Sequence, residues 1–223
     1  KVKYVDLGTR VVTLLAGSGT AGWFDGPPSA AKFNKPFPLA LAPGDSVLYC
    51  ADYAGHRLRR ITVATGAVDT LAGSGLLGAA DGAASSASFS GPAGLVLSAD
   101  GALLYVADHQ GHRLRRVTVA TGAVTTLAGT GGAGSTDGAA GAATFNQPMG
   151  LALSSDGATL LVADSSSHKL RSVAVASGAV STLAGSGTAA STDGIGATAV
   201  SFHSPIGLAL SPNGTIAYLS DAG

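Results

Sequence analysis

A spacing of 56 residues runs through this chain and limits what it can fold into more than any other feature. Leu15, Leu71, Leu127 and Leu183 keep that interval, as do Asp25, Asp81, Asp137 and Asp193. Phe33, Phe89 and Phe145 share it and Phe202 slips by one; Asp52, Asp108, Asp164 and Asp221 behave in the same way. Registers that agree over three to four copies establish an internal repeat, so the fold is one supersecondary unit stacked against copies of itself.

Turn chemistry divides each copy into four strands. Pro92 introduces strand a, Gly94–Ser98, and Asp100-Gly101 turns it into strand b, Leu103–Ala107, which ends at Asp108. Asp-Gly accepts positive φ at little cost and suits a hairpin. Strand c is Arg113–Val119, Thr121-Gly122 makes the next turn, and strand d is Ala123–Ala128. The stretch Gly129 to Gln147, rich in Gly and Ala with one helical turn expected before Pro148, links to the next copy. Thirty-three glycines and no Glu among thirteen acidic residues argue against helices. Four antiparallel strands with a longer link describe an all-β chain of β-propeller blades. One domain over residues 1–223 is expected, with repeats at about 1–35 (partial), 36–91, 92–147, 148–204 and 205–223 (partial).

The loop Ala51-Asp-Tyr-Ala-Gly-His-Arg-Leu-Arg-Arg60 resembles the signature of NHL-repeat proteins, whose name records an Asn-His-Leu tripeptide there. The linker Ala16–Gly26, leading to Phe33 and Pro36, is similar to the long-linker variety of these repeats. The Asn place is taken by Gly55, Gly111 and Ser167, which implies fewer side-chain contacts in that loop. Two closures stay open. Lys1–Val5 aligns with Arg57–Ile61, a strand c, and the sequence ends in the loop after a strand b. The first strands c and d can therefore join the last strands a and b in a closed four-bladed ring. Alternatively the chain is a segment of a six-bladed propeller, as the resemblance implies.

Thirteen basic and thirteen acidic residues cancel, so bulk charge points to no nucleic-acid partner. The lone Cys50 excludes an internal disulfide, and no apolar run reaches membrane-spanning length. The Asp of each Ala-Asp end (Asp52, Asp108, Asp164) and the His four residues on (His56, His112, His168) invite an acid–base reading. Catalysis needs one copy, whereas a side chain present in every copy serves every blade. The expectation is structural: Asp accepting N–H groups of the following loop, and His tying strand b to c. Arg57, Arg59, Arg60, Arg113, Arg115, Arg116, Lys169 and Arg171 alternate along strand c, so they are expected to be split between sheet faces and buried against the next blade's acids, a solvated or salt-bridged stripe rather than a phosphate track.

Binding candidates are the residues that break the repeat where the linkers and the b–c loops share one face: Asn34, Tyr53, His109, Gln110, Asn146 and His203. Asn213-Gly-Thr215 is an N-glycosylation sequon within an ordinary Asn-Gly turn. No metal site and no cofactor are expected. The chain reads as a non-enzymatic binding or scaffolding module, part of a larger extracellular or cell-surface structural protein, though a cytoplasmic place fits too. Its partners would be other proteins, surface glycans or further copies of itself. Two alternatives are kept: a metal-dependent lyase or lactonase of six-bladed type with His203 at the channel mouth, and an RNA-binding NHL domain.

Overall fold

A computed structural model describes residues 1–223. Three complete antiparallel sheets follow one another. The first blade is β3 (Pro36–Leu41), β4 (Val47–Asp52), β5 (Arg57–Thr62) and β6 (Val68–Ala72). The second is β7 (Pro92–Leu97), β8 (Leu103–Asp108), β9 (Arg113–Thr118) and β10 (Val124–Ala128). The third is β11 (Pro148–Leu153), β12 (Thr159–Asp164), β13 (Lys169–Ala174) and β14 (Val180–Ala184). Two-stranded sheets flank them, β1 (Val2–Val5) with β2 (Val12–Ala16), and β15 (Pro205–Leu210) with β16 (Ala217–Asp221). The order within each complete sheet is a-b-c-d, as the turn signals require. The segment before each strand a holds the expected single helical turn, with the Ala87 N–H donating to the carbonyl of Ala83.

The four-bladed ring does not form. β1–β2 and β15–β16 remain separate sheets rather than one. The same contact relates each blade to the next, so its rotation recurs at every step. Closure would need β16 to pair with β1, and that pairing is not made. The sequence count suited four blades, but closure depends on the angle per step, which the count does not contain.

The core lies between blades. One cluster joins Tyr49, Leu58 and Leu71 of the first blade to Leu104, Val117 and Val124 of the second through Phe89; another repeats it around Phe145 one step on. The inner strands approach closely, because a Cβ on Gly94 would lie 2.0 Å from the carbonyl oxygen of Met149 on the next inner strand. Backbone cannot yield as a side-chain tip can, so Gly94→Ala is expected to cost about 1–3 kcal/mol by overpacking. A urea midpoint equal to that of the parent would show that the inner strands have room to spare.

Candidate functional site

Each blade carries a buried latch built on one arginine. Arg115, with a fully buried side chain, donates through Nη1 to the Ser88 carbonyl (3.0 Å) and Asp108 (3.1 Å). Through Nη2 it donates to the Ala80 carbonyl (2.9 Å) and Asp81 (2.7 Å). Asp81 in turn accepts from the N–H and hydroxyl of Thr126, so the linker is sewn to strands c and d of the blade it enters. Arg59 and Arg171 repeat the arrangement with Asp25 and Asp52, and with Asp137 and Asp164. Only a planar fork reaches four acceptors from one side chain. In each, Nε has no partner, and the guanidinium lies 5.1–5.4 Å from the centroid of Phe33, Phe89 or Phe145. Arg59, Arg60, Arg115 and Arg171 are salt-bridged, as expected. The acids of the latch arginines Arg59, Arg115 and Arg171, however, come from their own blade and that blade's leading linker, not from the next blade.

The repeated Asp and His have duties that differ from those expected. Asp52, Asp108 and Asp164 accept from the N–H of Asn34, Ser90 and Asn146, two residues before the proline of their own blade. The bonded group therefore belongs to the linker ahead of strand a, not to the loop after strand b. Burial pushes these three carboxyls up to about 6, against the opposing pull of those N–H groups and of the latch arginine. Partial burial raises Asp81 as well, but the Thr126 N–H and Arg115 outweigh it and hold that carboxyl below its ordinary range.

Histidine reaches across blades rather than tying strand b to c. Nδ1 of His56, His112 and His168 accepts from the N–H of Gly91, Gln147 and Ser204, each in the next blade's linker, at 3.1–3.2 Å. Those residues sit just before the prolines at φ of +55° to +67°, which turns the N–H toward the neighbouring loop. A pattern within one repeat cannot disclose a bond whose partner lies in the following copy.

An imidazole that accepts at Nδ1 must be neutral, and acid should therefore release this staple. Burial holds His56, His109 and His112 below the ordinary imidazole value, helped by Arg57, His112 and Arg113 respectively. Their contribution is complete above the unfolded value of about 6.5 and declines as pH falls below it. The raised Asp carboxyls work in the opposite sense between about pH 6 and 4, so a difference is the proper readout. The expected result is that the stability gap between the chain and a His56→Asn/His112→Asn variant narrows from pH 7.5 to pH 5. A gap constant with pH would show that the imidazoles stay neutral throughout.

With latch and staple engaged, the candidate binding residues separate. Asn34 and Asn146 donate through Nδ2 to the carbonyls of Ala54 and Ser166, holding the b–c loop. His203 packs edge-on against His168 at 5.8 Å, and its N–H is held by Asp221. Gln110 lies beside Gly91 at the Tyr53 ring. Tyr53 and His109 meet, Oη to Nδ1 at 3.4 Å with the rings edge-on. They line a cleft of about 250 Å³ with Lys35, Pro36, Phe37, Ala93 and Met149. It opens beside a channel mouth of about 240 Å³ walled by the inner strands, where Phe37, Met149 and Ile206 project. No group of three or more His, Cys, Asp or Glu is gathered anywhere in the molecule. Asn213 accepts from Ser211 and Thr215 exactly where Asp100 and Asp156 accept from Ser98 and Ser154, so the sequon is also a turn. No helix is long and apolar enough to cross a membrane.

Four-stranded blades stepped around a channel and latched at the linker define a β-propeller built of sequence repeats. No family profile matches the chain. It is similar to the human protein named NHL repeat-containing protein 2, 34% identical over 154 residues, which are 65% of this chain and 21% of that protein. The chicken protein of the same name is 33% identical over 177 residues, 74% of this chain and 24% of that protein. A solved auxiliary nutrient binding protein from Bacteroides thetaiotaomicron superposes with a TM-score of 0.71 at 18% identity, covering 96% of this chain and 48% of that one. The chain spans about a quarter or less of the length of these curated relatives. It belongs to the NHL-repeat family.

Proposed function

We propose that this chain is a non-enzymatic protein-interaction module whose contact surface is the linker face, centred on the cleft between Tyr53 and His109. One observation carries the reading. The side chains that depart from the repeat, Tyr53, His109, Phe37 and Met149, converge on a single apolar-walled cleft. The repeated Asp, His and Arg beside it are engaged within the scaffold. Rigid blades presenting variable loops suit recognition of a partner better than turnover of a substrate. The NHL-repeat relatives and the binding-protein neighbour support the same class. We place the partner outside the cell or at its surface, as another protein chain or a glycan, because so low a content of charged side chains, 12%, suits a surface repeat protein.

Tyr53→Ser and His109→Ser provide the test, since the third blade carries Ser165 at the same place. Both variants should melt with the parent and lose ligands recovered from peptide-display and glycan-array screens of the intact chain. Retention of every ligand by both variants would remove the cleft from the reading. Conversion of a small lactone or ester by the parent, abolished by His203→Ala, would replace it with the enzymatic alternative.

A further inference from the structure

Elsewhere on the linker face the repeat is broken in a way that the Tyr53 cleft does not explain. Trp23 stands where the other linkers have Ala79, Ser135 and Ser191; Leu76 stands where they have Thr20, Gly132 and Thr188. Both are exposed, Trp23 by 58% and Leu76 by 73%. They come from different linkers yet line one cleft of about 350 Å³ between the first and second blades, with Arg57, itself 8% exposed, forming part of its wall. The Arg57 guanidinium lies 4.1 Å from the centroid of the Trp23 ring. It donates to the carbonyls of Gly55 (3.0 Å) and Ser74 (2.8 Å), which engages two of its five N–H groups. No carboxylate is within ion-pair distance of it, because Asp25 and Asp52 are both held by Arg59. The side chain of Lys32 passes beside Gly22, which lines the cleft. In the third blade the corresponding cation, Lys169, bonds the hydroxyl of Ser135, and no large apolar group stands over it.

Resting on the protein-interaction reading above, we propose that this cleft is a second docking point for a partner segment in which an acidic side chain neighbours a large apolar one. The carboxylate answers Arg57, while the apolar group covers Trp23 and Leu76. A charge-assisted bond to a cation lacking a counter-ion is among the stronger polar contacts available to a partner. Trp and Arg are also the side chains that most often dominate interface energetics. Continuity with the first cleft supports the assignment. The short 3₁₀ turn Tyr53–Gly55 stands between the two, Tyr53 lining one and Ala54 and Gly55 the other. An extended segment can lie across both.

A random peptide-display library selected on the chain, with counter-selection on a W23S/L76T variant, tests this. Both substitutions install residues that other copies carry at those positions, and a melting curve verifies that the variant folds; if it does not, L76T alone serves. The expected pool pairs Asp or Glu with Leu, Ile, Phe or Met. A peptide made from that pool should shift the fluorescence of Trp23, the only Trp in the chain. Replacing its carboxylate by the amide should weaken it about tenfold. No enrichment over the variant, or enriched peptides without an acid, overturns the proposal. So does an acidic oligosaccharide that binds through Trp23 where peptides do not. Peptides lost on Tyr53→Ser but kept by W23S/L76T remove this site and leave the interaction reading standing.

Discussion

Arg115→Met is expected to lower the unfolding free energy by about 3–5 kcal/mol, the loss typical of breaking a buried ion pair from one side. The variant keeps an apolar stem of similar length, so little packing is lost. What remains is Asp108 with a fully buried carboxyl, holding only the Ser90 N–H, and the Ser88 carbonyl without its donor, while the Ala80 carbonyl keeps only the Ser88 N–H. Arg115→Lys should fall between parent and Arg115→Met, because an ammonium is a point charge that cannot span both acids. The companion variant Asp108→Asn isolates the pair. If the loss in Arg115→Met is mainly the stranded charge, then adding Asp108→Asn to it should recover part of the stability, a coupling of about 1–3 kcal/mol in a double-mutant cycle. Guanidinium-induced unfolding followed by far-ultraviolet dichroism reads all five proteins. Strict additivity would mean that Arg115 acts through volume and that the latch is incidental.

The blade was legible because its signals are local. Pro92, Asp100-Gly101 and Thr121-Gly122 each act within a few residues of where they stand, and they delimit β7 to β10 to within two residues of the observed ends. The latch was not legible, although its spacing was present. Asp25 to Arg59, Asp81 to Arg115 and Asp137 to Arg171 are all separated by 34 residues. Along strand c, however, Arg59 sits in a row of three cations of which Arg60 is half exposed and pairs with Asp69. Composition gives no reason to single out the middle one; its four acceptors do. Of the binding candidates, Asn34 and Asn146 share with Tyr53 and His109 a place beside the b–c loop. Chain order cannot tell a side chain that turns back onto Ala54 or Ser166 from one that projects into the cleft. Trp23 and Leu76 lay in linkers made largely of Gly, Ala and Ser, beside Phe24 and Leu77. Their meeting over Arg57 depends on how two linkers stack, which no single repeat encodes.

Phe89→Ala should loosen the junction between the first and second blades and cost about 3–5 kcal/mol, the range for truncating a buried aromatic side chain. Phe89 is completely buried and joins Leu58 and Leu71 of one sheet to Leu104 and Val117 of the next. Its ring also lies beneath the Arg115 guanidinium and fills the space that Gly73 leaves by having no Cβ, since a Cβ there would be 3.1 Å from the ring. The cavity thus opens between a latch and a linker that cannot both move inward without breaking the four bonds of Arg115. Incomplete collapse places the cost toward the upper part of that range. In a repeat protein each junction contributes separately, so exchange of the Leu104 and Val117 amides should accelerate more than that of the third blade. Phe145 occupies the equivalent place in a different cluster. Phe145→Ala combined with Phe89→Ala should therefore add to within about 0.5 kcal/mol. A strongly non-additive pair would mean that the blades unfold as one tightly coupled body. An unchanged melting temperature for Phe89→Ala would show that the junction between blades rests on the histidine staples and not on the rings.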